Sequence, residues 1–258
     1  MEGITGICHI IYWLNHIWEH FNEIGVFYLM KETFIEIVRK QTTPYWEGSF
    51  SHPFIVQLQD GTLPIENFRY YLIQDAYYLR HFSALYKRVA EITSNPILKT
   101  QMLDNANDLA EGELAIRAKF FEELGITDTE LKETGVAPTA YHYVSHMYRQ
   151  LVENNDAVAA ASLLPCSWLY FEIGQKLRQS NEPSPVPIYQ DWIETYGGDE
   201  ARVAIEQECT LLNQLYAESS QEDKESMISA FVISARMEFN FWEMAFNFEK
   251  WPVGIAND

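Results

Sequence analysis

The chain has 258 residues, 47% apolar and 14% aromatic, enough for one large domain or two small ones with a sizeable core. Its formal net charge of −19 excludes the electrostatics of nucleic-acid binding, which rest on Lys and Arg against phosphate, and is compatible with a cationic small substrate. No run of 18 apolar residues is available to cross a membrane. Cys8, Cys166 and Cys209 are too few and too scattered for a disulfide framework or a closed metal site, so a reducing, cytoplasmic setting is expected.

The first 29 residues stand apart: aromatic and His-rich, with no Lys or Arg. They lack the positive n-region of a secretory signal. They read as an N-terminal extension outside the fold, first as a misassigned start and second as a helix packed on a partner. From Met30 onward, apolar residues recur at helical spacing. Helices are predicted over 30–43, 65–92, 96–124, 128–134, 139–153, 156–180, 187–195, 199–218 and 221–248. Thr127-x-x-Glu130 and Ser219-x-x-Glu222 have capping-box spacing, and Asn95-Pro96 opens a helix. A Pro-rich loop (181–187) and a Gly-rich turn (196–199) separate the later helices. No alternating apolar run competes as a strand, so 30–258 is predicted to be one all-α helical domain.

Three stretches carry chemistry. On "ENFRYYLIQDAYYLRHF", Phe68, Tyr71, Asp75, Tyr78 and Phe82 share one helix face, which puts an aspartate in an aromatic stripe. A core aspartate satisfied by tyrosine hydroxyls and a polar anchor for a flat ligand both fit. On "EFNFWEMAF", Glu238 sits among Phe231, Ser234, Phe241, Trp242 and Ala245, where burial would raise its pKa and suit it to donate a proton. On "SLLPCSWLYFEIG", Cys166 and Tyr170 share a face directly after Pro165, which removes a backbone donor and crowds the preceding turn. The expectation is a break that turns Cys166 and Tyr170 toward a cavity shared with Asp75 and Glu238. Cys209, by contrast, falls on an apolar stripe with Ile205, Leu212 and Tyr216. No histidine has an acid three residues before it, as a di-iron bundle requires, and no G-x-S-x-G, P-loop or dinucleotide fingerprint is present. A cysteine-centred site free of metal and cofactor is the chemical reading.

The stretches "YWEGSFSHPFIVQLQDGTLPIENFRYYLIQDAYYLRHF", "PTAYHYVSHMYR", "LLPCSWLYFEIG", "PIYQDWIETYGGD" and "EFNFWEMAF" together resemble the TenA/thiaminase II family, in its order and over essentially all of 30–250. The resemblance implies a single-domain helical bundle of the haem-oxygenase-like type, assembled as a homotetramer. It implies hydrolysis of 4-amino-5-aminomethyl-2-methylpyrimidine to the hydroxymethyl pyrimidine and ammonia, with cleavage of thiamin at the same methylene. By that resemblance Cys166, in Pro-Cys-x-Trp, is the nucleophile, Asp75 anchors the pyrimidine and Glu238 is the proton donor. Tyr78, Tyr143, Tyr170 and Tyr196 line the pocket, with Tyr143 and Tyr196 also assisting the chemistry. The partner is then a small aminopyrimidine or thiamin, with no cofactor, metal, nucleic acid or membrane. Two readings from other classes are a non-catalytic regulator of secreted-enzyme genes, which the acidic charge opposes, and a haem or iron oxygenase by analogy of fold alone.

Overall fold

The computed structural model describes residues 32–110, 114–180 and 182–252; the expected N-terminal extension, 1–29, and Cys8 within it lie outside these. From Phe34 onward the described residues form one compact unit of helices, with no strand among them. They are α1 (Phe34–Phe50), α2 (Pro53–Asp60), α3 (Ile65–Ile92), α4 (Pro96–Asp108), α5 (Leu114–Leu124), α6 (Asp128–Thr134), α7 (Pro138–Glu153), α8 (Asp156–Arg178), α9 (Pro187–Thr195), α10 (Asp199–Glu218) and α11 (Gln221–Asn247).

The core is built around α8. Every residue from Ala157 to Cys166 is buried, so this helix is apolar on all sides rather than striped, the signature of a central helix. It is the one described helix long and apolar enough to cross a membrane, yet 83% of its apolar stretch is covered by the rest of the fold. Its most extensive partner is α11, which also packs on α1 and α7, while α3 packs on α4, α7 and α8. The alanines at 157 and 159–161 let neighbouring backbones come close, and bulky rings from α1, α3 and α11 fill the space beyond.

Several boundaries differ from the pattern in the sequence. The first helix begins at Phe34 and runs through Pro44 to Phe50 instead of stopping at 43. Pro44 deprives the Lys40 carbonyl of its helical donor, but Lys40 and Pro44 are both exposed, so this turn is not sealed in the core. The Thr42 and Thr43 hydroxyls donate to the Val38 and Arg39 carbonyls in the same turns (2.7 and 2.9 Å). Helix α2 was not expected. His52 caps it, its Nδ1 accepting from the Phe54 amide (3.1 Å), Pro53 opens it and Gly61 closes it at φ 71°. Where a single helix was expected over 96–124, two are described, α4 and α5. Thr127 caps α6 and Asn95 caps α4 as expected. The cap of α11, however, is Ser220, which accepts from the Asp223 amide, because Ser219 is occupied in bonding back to the Leu215 carbonyl (2.7 Å).

Candidate active site

Pro165 does not break α8. The helix is continuous from Asp156 to Arg178, although Pro165 deprives the Ala161 carbonyl of its helical donor. At the neighbouring residue the Ser234 hydroxyl on α11 donates to the Ser162 carbonyl (2.7 Å), and the Ser162 hydroxyl donates to the Ala159 carbonyl (2.6 Å). The Ser234 bond ties α8 to α11 one turn from Cys166.

That junction sets the thiol among groups from four helices. Cys166 is 8% exposed and lies in hydrogen-bonding contact with Tyr78 of α3 and Glu238 of α11. Tyr143 of α7 donates its hydroxyl to Glu238 Oε1 at 2.6 Å, and its ring packs on that of Tyr78 (4.9 Å between centroids). Phe241 covers Tyr78 from the next turn of α11 (5.7 Å). On the other side of the same face of α8, Tyr170 shares a hydroxyl contact with Tyr71 (3.2 Å) and packs on Tyr196 (5.1 Å) and Trp242 (5.2 Å).

Tyr196 is set by backbone packing. It ends α9 in an extended conformation and precedes Gly197 at φ 82°. A Cβ on Gly197 would lie 2.5 Å from the Gln175 nitrogen, and one on Gly174 would lie 2.5 Å from the Tyr196 carbonyl carbon. The turn therefore rests directly on α8, and only glycine fits on either side of the contact.

Asp75, Cys166, Tyr170 and Tyr196 share the wall of a cavity of about 270 Å³. Its remaining wall comes from the further turns of α3 and from α4 and α10, including Phe82, Asn105, Asp108 and Glu208. Among the described residues acids line it and no Lys or Arg does. Of the expected site residues, Tyr78, Tyr143 and Glu238 are outside this wall. They are fully buried around Cys166, so Glu238 meets the cavity through the thiol rather than facing it beside Asp75.

Burial dominates the electrostatics. It pushes Glu238 up to about 8, with Asp75 adding in the same direction and the bonds from Tyr143 and Cys166 opposing. Glu238 is therefore protonated at neutral pH. Burial, reinforced by nearby acids and thiol, also holds Tyr78, Tyr143 and Tyr170 well above the ordinary tyrosine range, so all three stay hydroxyls.

Glu208 was missed in the sequence. It is 3% exposed, raised by burial to about 7, and bonded through Oε2 to the Asn105 amide (3.2 Å). Its signal was there: Ile205, Glu208 and Leu212 are spaced three and four apart on the buried face, whereas Cys209, read into that stripe, is only partly buried. Among the described residues neither Cys166 nor Cys209 is in a disulfide, and no cluster of His, Cys, Asp and Glu could hold a metal ion.

The architecture defines the class first: an all-α bundle of the haem-oxygenase-like type that holds a small-molecule cavity between its helices. The family follows from the chain itself, which belongs to the TENA/THI-4/PQQC family, whose sequence pattern matches residues 39–247. A Bacillus subtilis (strain 168) protein named aminopyrimidine aminohydrolase is 42% identical over 218 residues, covering 84% of this chain and 92% of that one. The solved structure of a TenA homologue protein from P. horikoshii OT3 superposes with a TM-score of 0.75 at 25% identity, over 84% of this chain and 99% of the other. A Shewanella denitrificans domain described as having a heme oxygenase-like fold superposes at 0.64 with 14% identity, over 83% and 92%, and shows the fold alone.

Proposed function

We propose that the protein is an aminopyrimidine aminohydrolase of thiamin salvage, acting by covalent catalysis at Cys166 and assembling as a homotetramer. The observation that carries this reading is the contact of a buried thiol with a protonated carboxyl and a tyrosine hydroxyl beside an acid-lined cavity.

In the proposed reaction the aminopyrimidine lies against Tyr170 and Tyr196, with Asp75 accepting from the exocyclic amine and fixing the ring. The Cys166 sulfur adds to the ring carbon beside the one that bears the methylene. Glu238 gives its proton to a ring nitrogen as that bond forms and takes the thiol proton, so no net charge is created. The Tyr78 hydroxyl stabilises the sulfur as it becomes anionic. The ring-nitrogen electrons then expel the amine, which enters protonated and departs as ammonia, and leave an exocyclic methylene. Water adds there and releases one proton to the solvent, replacing the one the amine brought in; the carbon–sulfur bond breaks, and the proton on the ring nitrogen returns through Glu238 to the thiolate. The balance is one water in, one ammonia out and the hydroxymethyl pyrimidine formed. A leaving group other than ammonia at the same methylene, as in thiamin, departs by the same step.

The test is ammonia release from 4-amino-5-aminomethyl-2-methylpyrimidine, with the mass in solution measured on the same preparation. The wild type should turn over, and Cys166→Ala should lose at least about a thousandfold in kcat while keeping its helical circular dichroism, as expected for removal of a nucleophile. Turnover by Cys166→Ala within tenfold of the wild type would sink the covalent route.

A further inference from the structure

Tyr71 stands behind the cavity wall. It is fully buried, is not among the residues that line the cavity, and lies one turn before Asp75 on the same face of α3. Its ring is held by Phe54 (5.4 Å between centroids), Phe68 (6.1 Å), Trp192 (6.1 Å), Phe241 (6.2 Å) and Trp242 (5.7 Å). A position enclosed by five rings would suit phenylalanine. A hydroxyl placed there costs free energy unless it is bonded, so its partner indicates its use.

That hydroxyl meets the hydroxyl of Tyr170 on α8, with 3.2 Å between the oxygens. Trp192 and Trp242 pack on both tyrosines, lying 6.0 and 5.2 Å from the Tyr170 ring, so two shared indoles set how far apart the hydroxyls stand. Tyr170 differs from Tyr71 in reaching the cavity, whose wall it shares with Asp75. Burial keeps Tyr170 protonated, and Tyr71, Glu238, Asp75 and Tyr196 add in the same direction. A hydroxyl has one proton to give and two lone pairs to receive. With the Tyr170 proton turned to Tyr71, only lone pairs of Tyr170 would face the Asp75 carboxyl. With Tyr71 as the donor, the Tyr170 proton is left to point at that acid, and both oxygens are used in their favourable sense.

We propose that Tyr71 is a positioning residue for the aminopyrimidine site: its hydroxyl donates to the Tyr170 oxygen and so directs the Tyr170 proton into the cavity, onto the Asp75 carboxyl. Asp75, held by that bond, keeps its remaining lone pairs aimed at the exocyclic amine. Tyr71 itself touches no reacting atom and acts through Tyr170. The inference rests on the aminohydrolase reading and adds to it the device that sets the pyrimidine anchor from behind the wall.

The experiment measures KM and kcat for ammonia release from the aminomethyl pyrimidine in the wild type, Tyr71→Phe, Tyr170→Phe and the double variant, with circular dichroism on each. Tyr71→Phe removes one oxygen and leaves the ring among its neighbours. Asp75 holds the pyrimidine alike before and during attack, so the change should appear in KM. KM should rise about three- to tenfold, the effect of losing a hydrogen bond between neutral groups, while kcat moves by less than about twofold. An oxygen that served the fold alone would instead lower the fraction of active enzyme, reducing kcat and leaving KM in place. In the Tyr170→Phe background the same substitution should raise KM by less than about twofold, because the hydroxyl it acts through is gone. A KM for Tyr71→Phe within about twofold of the wild type, or the full rise repeated in the Tyr170→Phe background, overturns the inference. A Tyr71→Phe chain that does not fold makes the hydroxyl structural and overturns it as well. In each of these cases a wild type that releases ammonia leaves the aminohydrolase reading standing. A wild type that releases none overturns that reading, and this inference with it.

Discussion

Replacing Glu238 by Gln should stabilise the protein progressively as pH rises while removing its activity. The folded protein holds this carboxyl protonated up to about 8, whereas the unfolded chain releases the proton near 4.5. Between those values the folded state binds one more proton than the unfolded state. Stability from this group is thus fully present below pH 4.5 and is lost as pH climbs through 8, at about 1.4 kcal/mol per pH unit. The cost reaches the order of 3 kcal/mol at pH 7. Gln carries no titration and mimics the protonated acid: its carbonyl accepts from Tyr143, and its amide replaces the carboxyl O–H.

The quantity to measure is the stability difference between Glu238→Gln and wild type, from guanidinium unfolding at pH 5.5 and at pH 7.5, at one protein concentration. It should move in the variant's favour by about 2–3 kcal/mol between the two. His52, His81 and His146, each lowered chiefly by burial, act in the opposite sense, since stability is regained as pH rises past their ordinary range. They are common to both proteins and cancel in the difference. Glu208, also raised, cancels in the same way. A difference constant within about 0.5 kcal/mol would mean that Glu238 is ionised in the folded protein. That outcome would remove the proton donor from the proposed chemistry.

Two further substitutions probe the supports of the site. Ser234→Ala deletes the hydroxyl that donates to the buried Ser162 carbonyl and should cost about 1–2 kcal/mol by denaturant unfolding; no loss would show that this bond does not hold α8 to α11. Gly197→Ala places a methyl against the Gln175 backbone at φ 82°, so the turn must lift and carry Tyr196 from Tyr170. The expected result is a fall of about tenfold or more in kcat/KM for ammonia release, as for a misplaced positioning group, and wild-type kinetics would refute the backbone contact as the device that sets Tyr196.

What was legible in the sequence follows the range of each interaction. Helical periodicity and caps act within a few residues, and they placed α3, α6, α9 and α10 at their observed bounds. Pro44 misled because the penalty depends on whether the deprived carbonyl is buried, and exposure at Lys40 is a tertiary fact. The short α2 was legible in principle from Pro53 at its start and Gly61 past its end, but it offers too few turns for periodicity to register. Single-helix faces likewise showed Asp75 with Tyr78, Cys166 with Tyr170, and Glu238 among aromatics. That Tyr78, Cys166 and Glu238 meet is a property of how α3, α8 and α11 pair, which spacing along one helix does not carry. Glu208 was lost to an error of one residue, since each step turns the helix by about 100°, enough to exchange a cavity wall for a flank.

The meeting of these helices explains why the site can be built from acids in a chain that already carries a net charge of −19. Buried carboxylates normally require a cation, and the described residues of the cavity wall supply none. Glu238 avoids the penalty by keeping its proton, which burial favours against the bond from Tyr143. Neutralisation by protonation is conditional, however. It holds only up to about pH 8 at Glu238, and it gives Glu238 a hydroxyl partner in Tyr143 and Glu208 an amide partner in Asn105 rather than a cation. A Lys or Arg beside Glu238 would favour its charged form, lower the folding cost at neutral pH and remove the proton it carries. The pH-dependent loss of stability at Glu238 is thus the counterpart of its proposed role as proton donor, since the same burial that costs stability keeps the proton in place.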